Sequence, residues 1–168
     1  MVKFLLLIVV NFALIVGGLT LGGFRLNLSN SQPVGLYREV SGGWDRGDLV
    51  FSCLPQKVAA IAVERGYLST NAVNCGGHTP VLKRVMALPG DRVDIADQVF
   101  INGEVVPNTD LQEADSLGRG FEMASSGPVA DGQVWLIGNE IKYSWDSRYY
   151  GPVDQSLIMA KVRPVWTF

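Results

Sequence analysis

The sequence predicts a mainly-β domain with one short helical insertion, preceded by a single N-terminal transmembrane helix. Three observations carry that prediction. Residues 4–24 form an almost wholly apolar run, broken only by Asn11, Thr20 and several glycines, and a helix needs about 20 such residues to cross the hydrocarbon core. Beyond it the pattern changes to short apolar stretches punctuated by Gly and Pro, as in strands joined by turns. Between two of those stretches stands Asn102-Gly103, a pair that tolerates positive φ and marks a two-residue hairpin.

The apolar run is longer than a secretory-signal core and lacks an Ala-x-Ala ending, so an uncleaved anchor is expected over residues 1–25 and a folded domain over 26–168. Lys3 lies before the run and Arg25 after it, so charge alone does not set its orientation. Strands are expected at 47–51, 81–87, 93–95, 99–101, 133–137 and 158–162. A helix is expected over 56–65, with Pro55 near its start and Gly66 just past its end. Residues 110–126 are polar and aperiodic and read as a long surface loop.

The chain has 168 residues, a net charge of −2 and 18% charged residues, with no Lys/Arg block. That argues against a nucleic-acid surface. His78 is the only histidine, and Cys53 and Cys75 are the only cysteines. A Ser–His–Asp triad would have to use His78, and a His/Cys zinc site would consume nearly every such residue. No metal or cofactor is expected, and His78, in a Gly/Thr/Pro context, reads as a loop surface residue.

Three segments hold the residue types that chemistry needs. In Asn27-Leu28-Ser29-Asn30-Ser31-Gln32-Pro33-Val34-Gly35-Leu36-Tyr37, Ser31 stands a few residues past the expected membrane boundary, and Pro33 and Gly35 fix a turn that can present a hydroxyl. The bland reading is a juxtamembrane linker. In Leu82-Lys83-Arg84-Val85-Met86-Ala87-Leu88-Pro89-Gly90-Asp91, strand alternation turns one of Lys83 and Arg84 inward. A lysine in apolar surroundings loses solvation of its charged form, and its pKa falls. It can then accept a proton from a serine hydroxyl. The bland reading is a surface strand with two solvated charges. The third segment, 137–153, gathers Ser144, Asp146, Ser147 and Arg148 among aromatics. These groups suit an Asp146–Arg148 network and an orienter for Lys83, or only a structural turn.

Together the three segments resemble the signal peptidase I family of serine peptidases. That family has a Ser before a Pro just after the anchor, a Lys-Arg-…-Leu-Pro-Gly-Asp motif and a Ser-x-Asp-Ser-Arg-…-Gly motif. Ser31 with Pro33, Lys83-Arg84 with Gly90 and Asp91, and Ser144 to Arg148 with Gly151 match them in order. The TraF-type branch, the conjugative transfer signal peptidases, is a closer match. It has Asn-x-Ser/Thr-x-Ser-x-Pro-x-Gly-Leu-Tyr, Cys-Leu-Pro, Arg-Gly-Tyr-Leu and Asp-Ser-Arg-Tyr-Phe/Tyr-Gly-Pro segments. Residues 27–37, 53–55, 65–68 and 146–152 reproduce these. Ala87 stands where many bacterial signal peptidases have Gly, and Gly138-Asn139-Glu140 replaces Gly-Asp-Asn. Both departures bear on preprotein cleavage of the general kind.

The resemblance implies a signal-peptidase-like twisted β-sheet domain in the periplasm, anchored once in the bacterial inner membrane. It implies Ser31 as nucleophile, Lys83 as base and Asp146 as third catalytic group. Ser29 is implied on the oxyanion side and Ser144 as orienter; a turn hydroxyl is the other reading of Ser29. Pro33, Gly90, Asp91 and Arg148 hold the motifs. In an oxidising periplasm Cys53 and Cys75 would form a disulfide clamping the helical insertion; otherwise they are two buried thiols. The implied partners are the lipid bilayer and a membrane-bound pilin precursor or other preprotein, cleaved or cyclised. Alternatives are a general signal peptidase and a non-catalytic component of the conjugation apparatus. A self-cleaving repressor is disfavoured, since an anchor replaces the DNA-binding domain.

Overall fold

β-branched and aromatic residues in short alternating runs favour pleated, half-buried strands, and eleven of these form among the described residues. The computed structural model describes residues 4–6, 11, 17–18, 21–70, 74–141 and 143–168. In order they are β1 (Phe24–Asn27), β2 (Gly35–Glu39), β3 (Leu49–Ser52), helix α1 (Gln56–Glu64), β4 (Val81–Ala87), β5 (Arg92–Ile95), β6 (Val99–Ile101), β7 (Glu104–Val105), β8 (Gly127–Pro128) and β9 (Gln133–Ile137). The short helix α2 (Ser147–Tyr150), β10 (Val153–Asp154) and β11 (Ile158–Thr167) complete the chain. Most of the expected anchor lies outside the described residues. Those described there before Gly22 are helical, and among the described residues no helix is long and apolar enough to cross a membrane.

Two antiparallel sheets result. Seven strands run β1-β2-β11-β3-β4-β9-β10, and four run β7-β6-β5-β8. One apolar cluster packs Val50, Val85 and Leu136 against Leu54 and Ala59, the last on α1. A second, on the other side of the alternation, joins Tyr37, Phe51 and Leu82. The third lies with the smaller sheet around Val93, Val99 and Trp135. Val50 and Val85 are wholly buried, each contributing about 2 kcal/mol by removal from water.

The strands expected at 81–87, 99–101 and 133–137 occupy those residues, and the Asn102-Gly103 turn has φ of 52° and 83°. The expected strand at 47–51 begins two residues later, because Gly47 takes φ 87° in the preceding turn. β11 runs five residues beyond the expected end. Pro164 suggests a stop, yet it sits beside a register shift opposite Tyr37, where the strand pairs with β2 after leaving β3. β1 and β2 were not anticipated, and β1 takes Phe24 and Arg25 out of the expected anchor into the sheet. Gly35 permits the β2–β11 approach: a Cβ there would overlap the Trp166 carbonyl.

Cys53 and Cys75 are joined by a disulfide. It encloses α1, which ends with Gly66 at φ 74°. His78 is not the surface residue expected: it is buried at 4% exposure. The disulfide and a hydrogen bond from the Thr79 N–H to the Ser69 carbonyl, 3.0 Å, fold its segment back onto the domain. The 110–126 segment is a loop, closed by a single bridge between Ala114 and Gly120.

The disulfide restricts the unfolded chain over a separation of 22 residues. Replacing both cysteines by Ala should lower stability by about 3 kcal/mol, read as a fall in the urea midpoint at unchanged slope.

Candidate active site

The segment that carries Ser31 is the connection between β1 and β2. Asn27, the last residue of β1, is buried and hydrogen-bonds the turn from inside, while Tyr37 donates its hydroxyl to the Pro33 carbonyl at 2.6 Å. Ser29 is exposed and Ser31 half-buried, with their hydroxyl oxygens 3.2 Å apart. An Asn at a strand end followed by Pro favours this locally hydrogen-bonded turn.

β4 supplies the lysine. It pairs with β3 so that Lys83 lies opposite Val50. Lys83, Val85 and Ala87 point to one face and are buried; Arg84 points to the other and pairs with Glu140 at 2.7 Å. Strand alternation has therefore selected Lys83 as the inward cation. Its Nζ donates to Ser144 Oγ at 2.6 Å. Burial pushes the Lys83 pKa down, the Asp146 carboxylate opposes this, and Arg148 adds to the fall, leaving it at about 8.

The third motif folds around a buried ion pair. Arg148 Nε and Nη2 donate to the two Asp146 oxygens, each at 2.8 Å, and neither side chain has solvent exposure. Asp146 also caps α2 by accepting from the Arg148 N–H at 3.1 Å, and accepts from the Gly138 N–H at 2.9 Å. Arg148 Nη2 donates further to the Ser144 carbonyl at 2.7 Å. Burial disfavours the Arg148 charge, but the Asp146 carboxylate more than offsets this and holds its pKa up.

Gly138 closes the arrangement. A Cβ at this position would overlap Ser144 Oγ and lie 2.9 Å from Ser144 Cβ and 3.2 Å from the Ser31 carbonyl oxygen. The glycine at the end of β9 is thus where the Ser31 and Ser144 segments meet. Its position directly after the apolar run Val134-Trp135-Leu136-Ile137 was the available sequence signal.

Ser29, Ser31, Lys83 and Ser144 line one cleft of about 1080 Å³ whose lining is mainly apolar. Leu26, Leu28, Tyr67, Leu68, Phe121 and Trp145 contribute to it. The loop expected at 110–126 borders it too, held to the end of α1 by Tyr67 OH donating to Asp115 and by Arg119 Nη2 donating to the Arg65 carbonyl. Asp146, Arg148, Pro33, Gly90 and Asp91 do not line the cleft. Asp146 reaches Lys83 by charge and through Ser144, with no hydrogen bond between the two among the described residues. Asp91 accepts from Arg46 Nη2, which lies within reach of both its oxygens, and from the Leu88 N–H, which pins the turn after β4. Among the described residues no group of His, Cys, Asp and Glu is placed to hold a metal.

Comparison with known proteins adds four findings. The family model described as signal peptidase, peptidase S26, matches residues 1–167. A conjugal transfer protein TraF of Agrobacterium tumefaciens is 42% identical over 150 residues, covering 88% of this chain and 84% of that protein. A plasmid transfer protein TraF of Escherichia coli is 36% identical over 164 residues, covering 92% and 89%. A signal peptidase I V of Bacillus subtilis is 27% identical over 95 residues, covering 51% and 56%.

Arg148→Ala leaves the Asp146 carboxylate buried without its partner. It should cost about 3–5 kcal/mol, measured by denaturant unfolding. Gly138→Ala forces Ser144 off Lys83 and should cost about 1–3 kcal/mol from overpacking, read in the same way.

Proposed function

This chain belongs to the signal peptidase family, peptidase S26, in its TraF-type branch; on that premise we propose that it is a membrane-anchored serine endopeptidase using a Ser31–Lys83 dyad. Its substrate is the membrane-bound pilin precursor of a conjugative transfer system, and its catalytic domain faces the periplasm. The observation that carries this reading is a lysine buried in a cleft it shares with a turn serine, with its pKa near 8.

The reaction is acyl transfer. Ser31 Oγ attacks a peptide carbonyl carbon while Lys83 Nζ takes its proton. The protonated Lys83 then gives that proton to the leaving amine as the peptide bond breaks. Water or another amine, deprotonated by Lys83, resolves the ester and yields a linear or a cyclic product. The Ser31 backbone N–H is the oxyanion donor, a contribution of about 3 kcal/mol in such sites. Ser144 holds the Lys83 amine in place. Asp146 acts at one remove, fixing Arg148 and through it the Ser144 carbonyl.

The surface supports a bilayer location. Leu26, Leu36 and Trp166 are cross-strand neighbours on β1, β2 and β11. Leu26, Leu28, Tyr143, Trp166 and Phe168 are exposed, and the strand bearing Leu26 follows directly on the apolar N-terminal run. A precursor lying along a membrane would enter an apolar cleft from this side. The names of the relatives favour conjugation over general export.

Ser31→Ala and Lys83→Ala, expressed at wild-type levels, should each accumulate pilin precursor by mass spectrometry. Unchanged mature pilin would favour the non-catalytic reading instead. Because Lys83 must be neutral to accept a proton, kcat/KM should rise about tenfold per pH unit and level off near pH 8. The stability effect has the same sign. The folded Lys83 pKa lies below the ordinary lysine value of 10.5, so the unfolded chain binds more protons between pH 8 and 10.5 and stability rises with pH there. Lys83→Met should abolish cleavage yet raise the melting temperature at pH 7, by removing a buried cation.

A further inference from the structure

The end of the larger sheet nearest the apolar N-terminal run carries two arginines that no acid answers. Phe24, which follows the Gly22-Gly23 turn out of that run, pairs with Arg38 across β1 and β2. Arg38 pairs in turn with Arg163 across β2 and β11. Alternation puts these three side chains on one face with Leu26, Leu36 and Trp166. Both arginines are exposed. Directly opposed residues stand about 5 Å apart at Cβ, and like charges there weaken the pairing of the strands. Glu39, next along β2, is bound by Arg25, and Asp48, just before β3, by Lys161. Among the described residues neither Arg38 nor Arg163 has an ion pair. Arg38 lies over the Phe24 ring instead, 5.4 Å from its centroid.

We propose that Arg38 and Arg163 form a binding site for the phosphate of an anionic phospholipid headgroup, at the point where the chain leaves the bilayer. The site goes beyond the peptidase reading; it rests on the bilayer location given with that reading and not on the dyad. Two adjacent guanidinium groups offer planar, weakly hydrated forks that match phosphate oxygens. An anion held between them replaces their repulsion with two attractions. Free phosphate shares this chemistry, but the setting favours a lipid. Phe24 ties the pair to the residue that follows the apolar run. The other half of the same face is apolar, and exposed Trp166 packs on exposed Phe168 with ring centroids 5.3 Å apart. Aromatic rings of this kind settle at the bilayer interface, and arginine heads extend from it to the phosphates.

The test uses the full chain in nanodiscs of equal phosphatidylcholine and phosphatidylglycerol, with the lipids it retains counted by native mass spectrometry. Wild type should retain phosphatidylglycerol in excess. An arginine beside an anionic surface strengthens attachment about fivefold. Arg38→Gln and Arg163→Gln should therefore each cut that excess about fivefold, and the double variant about 25-fold. Arg92→Gln, on the smaller sheet, should leave it unchanged. In lipid-free detergent the double variant should melt no lower than wild type, since a repulsion is gone; short-chain phosphatidylglycerol should raise the wild-type melting temperature and not that of the double variant. Undiminished phosphatidylglycerol retention in the double variant would overturn the proposal. So would inorganic phosphate raising the wild-type melting temperature as much as the lipid does, because the site would then fill from solution. Quenching of Trp166 by brominated acyl chains in phosphatidylcholine nanodiscs, measured against Trp166→Phe, separates the two readings. An unquenched Trp166 removes the bilayer location and this site with it, whereas quenching with undiminished retention sinks the headgroup site alone.

Discussion

Asp146 and Arg148 are opposite charges buried to zero exposure, and every polar partner they have belongs to a segment the site needs. The carboxylate takes the Gly138 N–H and the cap of α2; the guanidinium takes the carbonyls of Ser144 and Asp110. A buried pair is seldom a net source of stability, because desolvation cancels much of the attraction. What it does supply is geometry. Once two charges are enclosed, their remaining donors and acceptors must find fixed partners, and here those partners are β9, the Ser144 segment and the 110–126 loop.

The same pair tunes the lysine. Desolvation lowers the Lys83 pKa most, Arg148 lowers it further and Asp146 raises it. A carboxylate bonded directly to Lys83 would hold the amine charged. With Asp146 engaged by Arg148, Lys83 is left to a neutral partner, the Ser144 hydroxyl. The result is an amine that is neutral in an appreciable fraction of molecules near neutral pH, on a strand whose backbone is fixed by pairing on both sides. Around it the cleft is mainly apolar, which sustains the desolvation that lowers the amine's pKa.

Much of this was legible from local pattern. The runs at 81–87, 99–101 and 133–137, the Asn102-Gly103 turn and the helix after Pro55 all follow from short-range propensity. Residues at β1, β2 and the end of β11 were not, because β2 and β11 pair across more than 100 positions, β1 joins the sheet only through β2, and Pro164 disguises the end of β11. Gly35 acquires its purpose only when the Trp166 carbonyl arrives beside it.

The sequence by itself determined which residue types stand at which spacing: a serine before a proline, a Lys-Arg pair in an apolar strand, and an acid two positions before an arginine. Alternation required that one of Lys83 and Arg84 face inward, but left open which. Tertiary structure decided that it is Lys83, that Asp146 bonds Arg148 and not the lysine, that Cys53 and Cys75 are close enough to join, and that His78 is buried. Periodicity and propensity act over a few residues, whereas burial, charge partnership and proton direction depend on what long-range pairing brings within 3 Å. Asn27 shows the difference: in the sequence it is a polar residue in a Ser/Asn-rich stretch, and only in the folded turn does its carboxamide meet three carbonyls, an N–H and a hydroxyl.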